Sequence, residues 1–112
     1  MLIRSLNSLV NELEKWRIEK RLVSAALLIL DGPTGGAAVW VKGDIEDTSG
    51  LRLVIAGWGR ASFMLAGARF GVKVSEELKA SIDSLQGGPL IDWSKAIPVT
   101  LANGNLLVLW NT

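Results

Sequence analysis

The chain opens with apolar residues that recur at helical spacing. The members of this stripe lie four, three, four and three residues apart: Leu2, Leu6, Leu9, Leu13 and Trp16. This spacing places them on one side of an α-helix, and cations gather near its end, where they suit the helix dipole. The pattern predicts an amphipathic helix over residues 2–21 that docks on its own domain. Self-association is the alternative, because the same spacing is used by coiled coils.

Short apolar runs then replace the helical pattern. Residues 25–30 form an unbroken apolar run closed by Asp31-Gly32-Pro33, which predicts a strand buried on both faces. Residues 37–42 and 51–56 predict two further strands, with a polar loop over residues 44–50 between them. Residues 61–70 fit either helix or strand, and the alternation of Met64, Ala66, Ala68 and Phe70 favours a strand.

The last third of the chain predicts a helix and a hairpin. Ser75 is a suitable N-cap, and apolar residues follow it at helical spacing: Leu78, Ile82 and Leu85. Asn103-Gly104 is a strong signal for a two-residue hairpin turn. That turn predicts three apolar cross-strand pairs: Leu101 with Leu106, Val99 with Val108, and Ile97 with Trp110. Leu107 and Leu109 make the opposite face apolar too, so we expect a helix or a partner to cover it.

These elements predict a single α+β domain over residues 1–112. It has an N-terminal helix, a mainly antiparallel sheet of about six strands, and a second helix before the C-terminal β-hairpin. We expect both helices on one face of the sheet.

Composition narrows the chemistry. The chain contains no Cys, His or Tyr, so disulfides, thiolate metal sites and Ser-His-Asp hydrolysis are excluded. Its 12 basic and 11 acidic residues give a net charge of +1, which offers no electrostatic footprint for nucleic acid. No apolar run approaches the ~20 residues of a spanning helix, and no signal segment is evident. We expect a cytoplasmic protein without cofactor or metal.

The carboxylates provide only weak candidates for chemistry. Asp31 ends an apolar strand, where some α/β enzymes place catalytic carboxylates, but a turn aspartate explains it as well. The acidic residues of the 44–50 loop could bind calcium, although their spacing does not match an EF-hand. Asp92 could pair with another carboxylate as in glycosidases, but nothing in the sequence brings two of them together.

The aromatic residues provide a binding hypothesis. Of the five tryptophans, Trp16 and Trp110 fall on predicted core faces. Trp58 lies between two glycines in a predicted turn, with Arg60 close behind, and Trp93 also follows a turn. Trp and Arg are enriched in binding hot spots, so Trp58, Arg60 and Trp93 are the predicted binding residues.

The sequence therefore favours a non-catalytic protein-binding module of the immunity, adaptor or assembly-subunit type. Its partner would be another protein or a second copy. A small-molecule-binding domain with a tryptophan-lined site is the alternative, and a carboxylate-based enzyme comes third.

Overall fold

Two helices and six strands make up the described part of the chain, as the α+β prediction requires. A computed structural model describes residues 3, 5–31, 35–57, 59–70, 74–86 and 91–111. In chain order its elements are α1 (Leu6–Ile18), β1 (Leu22–Asp31), β2 (Gly35–Asp47), a 3-10 turn (Ser49–Leu51), β3 (Arg52–Gly57), β4 (Arg60–Met64), α2 (Glu76–Gln86), β5 (Ile97–Thr100) and β6 (Leu106–Asn111). None of the helices in these ranges is long and apolar enough to cross a membrane.

The strands form one antiparallel sheet with β1 near its centre. The strand order is β4-β3-β2-β1-β6-β5. β1 pairs along its whole length with residues 35–44 of β2 and, on its other side, with β6. β1 is therefore buried on both faces over residues 23–26, as its unbroken apolar run predicts.

The helices lie on opposite faces of this sheet, so the prediction that they share one face is wrong. α1 packs on the face that carries the odd-numbered residues of β1 and β6, here called the α1 face. Its buried core includes Leu9, Leu13, Trp16, Val23, Ala25, Leu107 and Leu109. The other face, here called the α2 face, holds a second core with Ile82, Ala26, Leu28, Val108 and Trp110. Two helices are needed because β1 and β6 are apolar on both sides.

α1 is shorter than predicted but ends for clear reasons. Ser5 is the N-cap and accepts a hydrogen bond from the Ser8 amide at 3.2 Å. At the other end the Arg21 amide donates to the Trp16 carbonyl at 3.0 Å, and Lys20 has a φ of 55°. This is the Schellman arrangement, which stops a helix with one left-handed residue. The predicted apolar stripe is confirmed at Leu9, Leu13 and Trp16, which are all buried.

The predicted register of the C-terminal hairpin is wrong by one residue. Thr100 lies opposite Leu106, and Val99 opposite Leu107. The Gly104 amide donates to the Leu101 carbonyl at 2.9 Å, and Gly104 has a φ of 90°. The loop therefore has three residues, with one left-handed glycine instead of two left-handed turn residues. Because β6 is apolar on both faces, its side-chain pattern fits either register.

Two predicted boundaries are also wrong. The strand predicted over residues 61–70 ends at Met64, and Arg69 returns only as a single bridge to Thr100. Its buried positions are the odd-numbered Phe63 and Leu65, whereas Met64 is 59% exposed.

The loop predicted over residues 44–50 is mostly strand. β2 runs on to Asp47 and pairs with β3, with a bulge between Ile45 and Asp47. Ile45 is buried while Asp44 and Glu46 point outward. The acidic residues therefore mark the exposed side of a strand.

α2 begins at Glu76, one residue after the predicted cap, and buries Ile82. The side chains of Leu78 and Leu85 lie outside the described part of the structure.

Candidate binding groove

Two of the three predicted binding residues are described by the structure, and they have different environments. Trp58 lies outside the described residues, so its role stays a prediction. Arg60 is exposed at the start of β4 and binds Glu46 of β2 at 2.5 Å. Trp93 packs against the core on the α2 face. Arg60 and Trp93 thus engage separate parts of the molecule.

The indole of Trp93 is held by α2. Its Nε1 donates to Asp83 Oδ2 at 3.3 Å, and the Ile91 amide donates to Asp83 Oδ1 at 3.4 Å. Lys79 Nζ lies 5.7 Å from the centre of the indole ring. Asp83 therefore ties the segment that follows α2 back onto the helix. These contacts give Trp93 a structural role in addition to any role in binding.

The pairing of β2 changes at Gly43. From Gly43 onward β2 pairs with β3, and Gly43 lies opposite Gly57, the last residue of β3. Residues 35–42 of β2 pair with β1 on one side. On their other side, no strand of the described ranges pairs with them. We call residues 35–42 on this side the β2 edge.

A groove of about 760 Å³ adjoins the β2 edge. The strand register places Leu22, Asp44 and Ala56 in one row on the α2 face, with Lys42 and Trp40 further along β2. The groove is lined by Leu22, residues 40–44, residues 55–57 and Gly59. Most of these groups are apolar, and Lys42 and Asp44 are the charged ones. This size and lining are typical of ligand sites.

Trp40 is the largest side chain of the groove. It is partly buried and packs against the core on the α2 face. Its Nε1 is buried and has no hydrogen-bond acceptor among the described residues. Buried indole N–H groups usually have a partner, so within the described residues this side chain contributes shape and apolar surface but leaves its donor unsatisfied.

Two glycines close the end of the groove where β2 and β3 meet. A Cβ at Gly43 would lie 2.2 Å from the Ala56 carbonyl oxygen, and one at Gly57 would lie 2.2 Å from the Lys42 carbonyl oxygen. Both contacts are with backbone, so a side chain would force the strands apart. Sequence reasoning missed this pair, although a glycine inside a strand pattern can signal a close backbone approach.

Exposed apolar side chains continue around the β2 edge. On the α1 face, beyond α1, Val39 is 51% exposed and its diagonal neighbour Ile29 is 41% exposed. Leu22 is 44% exposed in the groove itself. Unburied apolar surface therefore lies near the β2 edge on both faces of the sheet.

A polar cluster links α1 to Thr48, the residue that follows β2. Thr48 Oγ1 donates to Glu14 Oε2 at 2.6 Å, and Arg17 forms an ion pair with the same carboxylate. The hydrogen bonds from Arg17 and Thr48 lower the pKa of Glu14 from 4.5 to about 2. Nearby, hydrogen bonds from the amide and hydroxyl of Ser49 lower the pKa of Asp47. These carboxylates stay ionised at neutral pH and serve as hydrogen-bond acceptors.

The predicted carboxylate sites do not gain support from this geometry. Across the described ranges, no three acidic side chains converge on a place that could hold a metal ion. Asp92 accepts hydrogen bonds from Ser94, whose hydroxyl lowers the pKa of Asp92. This is the geometry of a turn aspartate.

Comparison with protein-family models, with curated proteins and with solved structures found no match.

Proposed function

We infer that the protein is a non-catalytic binding module that accepts an extended segment of a protein along the β2 edge. The observation that carries this proposal is the continuation of β2 over residues 35–42 beyond the end of β3. In a strand, alternate residues direct their backbone N–H and C=O groups to opposite sides. Half of these groups along residues 35–42 therefore face away from β1, and an added strand would satisfy them.

The groove supplies what such a site needs for specificity. In strand addition, backbone hydrogen bonds provide affinity, and pockets beside the edge select alternate side chains. An apolar side chain of the bound segment would enter between Trp40, Leu22 and Ala56. The exposed Val39 would contact the next side chain of the segment on the other face. Gly57 and Gly59 line the groove, so Trp58, which lies between them in sequence, remains the predicted hot-spot residue.

A random peptide library displayed on phage tests this proposal on the immobilised full chain. We expect selected peptides to alternate apolar and polar residues, and to shift the amide NMR signals of residues 35–42. Val39→Lys should abolish their binding, because a charged residue on a strand edge disfavours added strands. Met64→Lys is the matched control, since Met64 is similarly exposed but lies on β4. Peptides that bind both variants equally would contradict a site at the β2 edge.

A small-molecule site is the second candidate, and the groove volume of about 760 Å³ favours it. A flat apolar ligand would stack beside Trp40 above Leu22 and Ala56. A fragment library screened by NMR should then shift the amides of Leu22 and Ala56. Such binding should survive Val39→Lys and be lost in Ala56→Trp, which fills the groove. The opposite pattern would support strand binding alone.

The class of partner and the cellular location are also part of this proposal. The near-neutral charge of the chain, +1, is consistent with a protein partner and not with nucleic acid. A cytoplasmic location is expected from the sequence.

A further inference from the structure

The β2 edge is closed at one end and open at the other. At Gly43 the position beside β2 is taken by β3, whose last residue is Gly57. A Cβ at Gly57 would lie 2.2 Å from the Lys42 carbonyl oxygen, so not even a methyl group fits between the two strands there. Near Gly35, no strand of the described ranges lies on this side of β2. A segment added to the β2 edge can therefore extend past Gly35, but it must end or leave the sheet before Gly43.

The backbone of the β2 edge offers hydrogen bonds at every second residue. The Lys42 carbonyl oxygen lies next to Gly57, so Lys42 directs its backbone groups toward β3. Because these directions alternate along a strand, Gly36, Ala38 and Trp40 direct their N–H and C=O groups to the same side. These three residues belong to the part of β2 that β3 does not accompany. An added strand would thus find three N–H and three C=O groups before it reaches the closed end.

Lys42 supplies the charge nearest to the part of β2 that β3 leaves open. Its side chain is exposed and takes part in none of the salt bridges of the described residues. Residues 36–41 carry no charge. Asp44 also lines the groove, but it lies beyond the closed end, opposite Ala56 of β3. A positive charge thus marks the place where an added segment must stop.

We propose that the occupant of the β2 edge is the C-terminal end of a partner protein, which runs parallel to β2 and places its terminal carboxylate beside Lys42. The inference rests on the proposed function and names the class of segment that is bound. An internal segment would have to bend away from the sheet at this point and would leave Lys42 without a partner. A segment that ran antiparallel would bring an N-terminal ammonium group to Lys42, where like charges repel.

The direction of the segment has a small cost that the carboxylate offsets. Parallel pairing is slightly less stable per residue than antiparallel pairing. A hydrogen bond between an ammonium group and a carboxylate is roughly twice as strong as a neutral one. The contact at Lys42 therefore favours the parallel direction for a short segment.

The register of such a segment assigns its last three side chains. With its carboxylate beside Lys42, the segment would place its last residue beside Val41 on the α1 face, because neighbouring residues of paired strands share a face of the sheet. The residue before it would lie beside Trp40 and enter the groove on the α2 face. The third residue from the end would pack on Val39, which is 51% exposed. All three neighbours are apolar, so we expect a partner that ends in three apolar residues.

Two peptide libraries test this inference on the full chain. In one library the random residues end in a free carboxylate, and in the other they are followed by a fixed Gly-Ser tail. We expect enrichment only from the first library, with apolar residues at the last three positions. A selected peptide made as its C-terminal amide should bind at least about tenfold more weakly than the acid in fluorescence anisotropy, because the amide carries no charge.

Substitutions at Lys42 identify the carboxylate contact. Lys42→Gln should weaken binding of the acid peptide about tenfold and leave binding of the amide unchanged, whereas Lys42→Arg should keep the preference for the acid. Lys15→Gln is the matched control, since Lys15 is exposed on α1 and does not line the groove. An acid and an amide that bind equally well overturn the inference, and so does a preference for the acid that survives Lys42→Gln.

The outcomes separate this inference from the proposed function. If peptides from both libraries bind equally and shift the amide signals of residues 35–42, the C-terminal end is wrong and strand binding stands. The same holds if N-terminal acetylation weakens binding and C-terminal amidation does not, because the segment then runs antiparallel. If no peptide from either library uses the β2 edge, both fail.

Discussion

β6 and β2 flank the same central strand and end up in very different surroundings. β6 is buried from Leu106 to Trp110, with β5 beyond it and a helix on each face. β2 is comparably apolar around Val39 but exposes that residue, and no described strand lies beyond residues 35–42. The comparison teaches that apolar sequence selects a strand without deciding whether the chain itself covers it. In β6 the fold buries all the apolar side chains, whereas β2 leaves Val39 half exposed.

Truncating one residue in each strand should give the largest contrast. Leu107 is fully buried in β6, so Leu107→Ala should lower the free energy of unfolding by about 2–5 kcal/mol. Val39→Ala should lower it by less than about 1 kcal/mol, because half of the side chain is already in water. Denaturant unfolding of dilute protein measures both. Equal losses would mean that Val39 is covered within its own chain.

The glycines at the end of the groove test where β2 changes partner. Gly43→Ala should cost about 1–3 kcal/mol or more, because the new methyl group meets the Ala56 carbonyl oxygen and must push β3 away. Gly59→Ala is the control and should change stability by less than about 0.5 kcal/mol, since nothing lies within 4 Å of its added Cβ. Thermal unfolding of the two variants checks this, and a well-tolerated Gly43→Ala would argue against the close approach.

The loop that precedes β6 tests how the register of β6 is fixed. Gly104→Ala should cost about 1–2 kcal/mol, because Gly104 has a φ of 90°. Cross-strand NOEs should pair Thr100 with Leu106. NOEs that pair Thr100 with Leu107 would instead restore a two-residue turn and shift β6 by one position.

The smallest expected effect on stability concerns the hydrogen bond between Glu14 of α1 and Thr48, which follows β2. Glu14 has a pKa of about 2 in the folded protein, below its ordinary 4.5. A lowered folded-state pKa stabilises the fold above the unfolded value, and this stabilisation is lost as pH falls from 4.5 toward 2. An NMR titration should show no Glu14 inflection near 4.5, and Thr48→Val should raise its pKa. An unchanged pKa in Thr48→Val would mean that the tether from α1 to β2 does not form in solution.

The register error in the C-terminal hairpin shows the limit of pattern reasoning. Asn103-Gly104 correctly located the turn, but both a two-residue and a three-residue loop are compatible with these residues. Side-chain alternation normally decides between registers by burying one face. With Leu107 and Leu109 under α1 and Val108 under α2, β6 is buried on both faces from Leu106 to Trp110, so burial does not distinguish the two registers.

Most of the residues that form the candidate groove could not be brought together from the sequence alone. Trp40 could be assigned to a strand, but its place beside Leu22 and Ala56 depends on the pairing of three strands. Gly43 and Gly57 are distant in sequence and meet only because β2 and β3 pair there. The hypothesis that Trp58 binds a partner stays a prediction, although its chain neighbours Gly57 and Gly59 line the groove.

The sequence by itself determined the α+β class, the amphipathic α1, the order of helices and strands, and the burial of Trp16 and Trp110. These follow from local periodicity, turn residues and caps, which depend on neighbours along the chain. Only the tertiary structure decided which face each helix covers, the register of β6 and the length over which β3 accompanies β2. Those features depend on contacts between residues far apart in sequence, and an apolar strand is compatible with more than one such set of contacts.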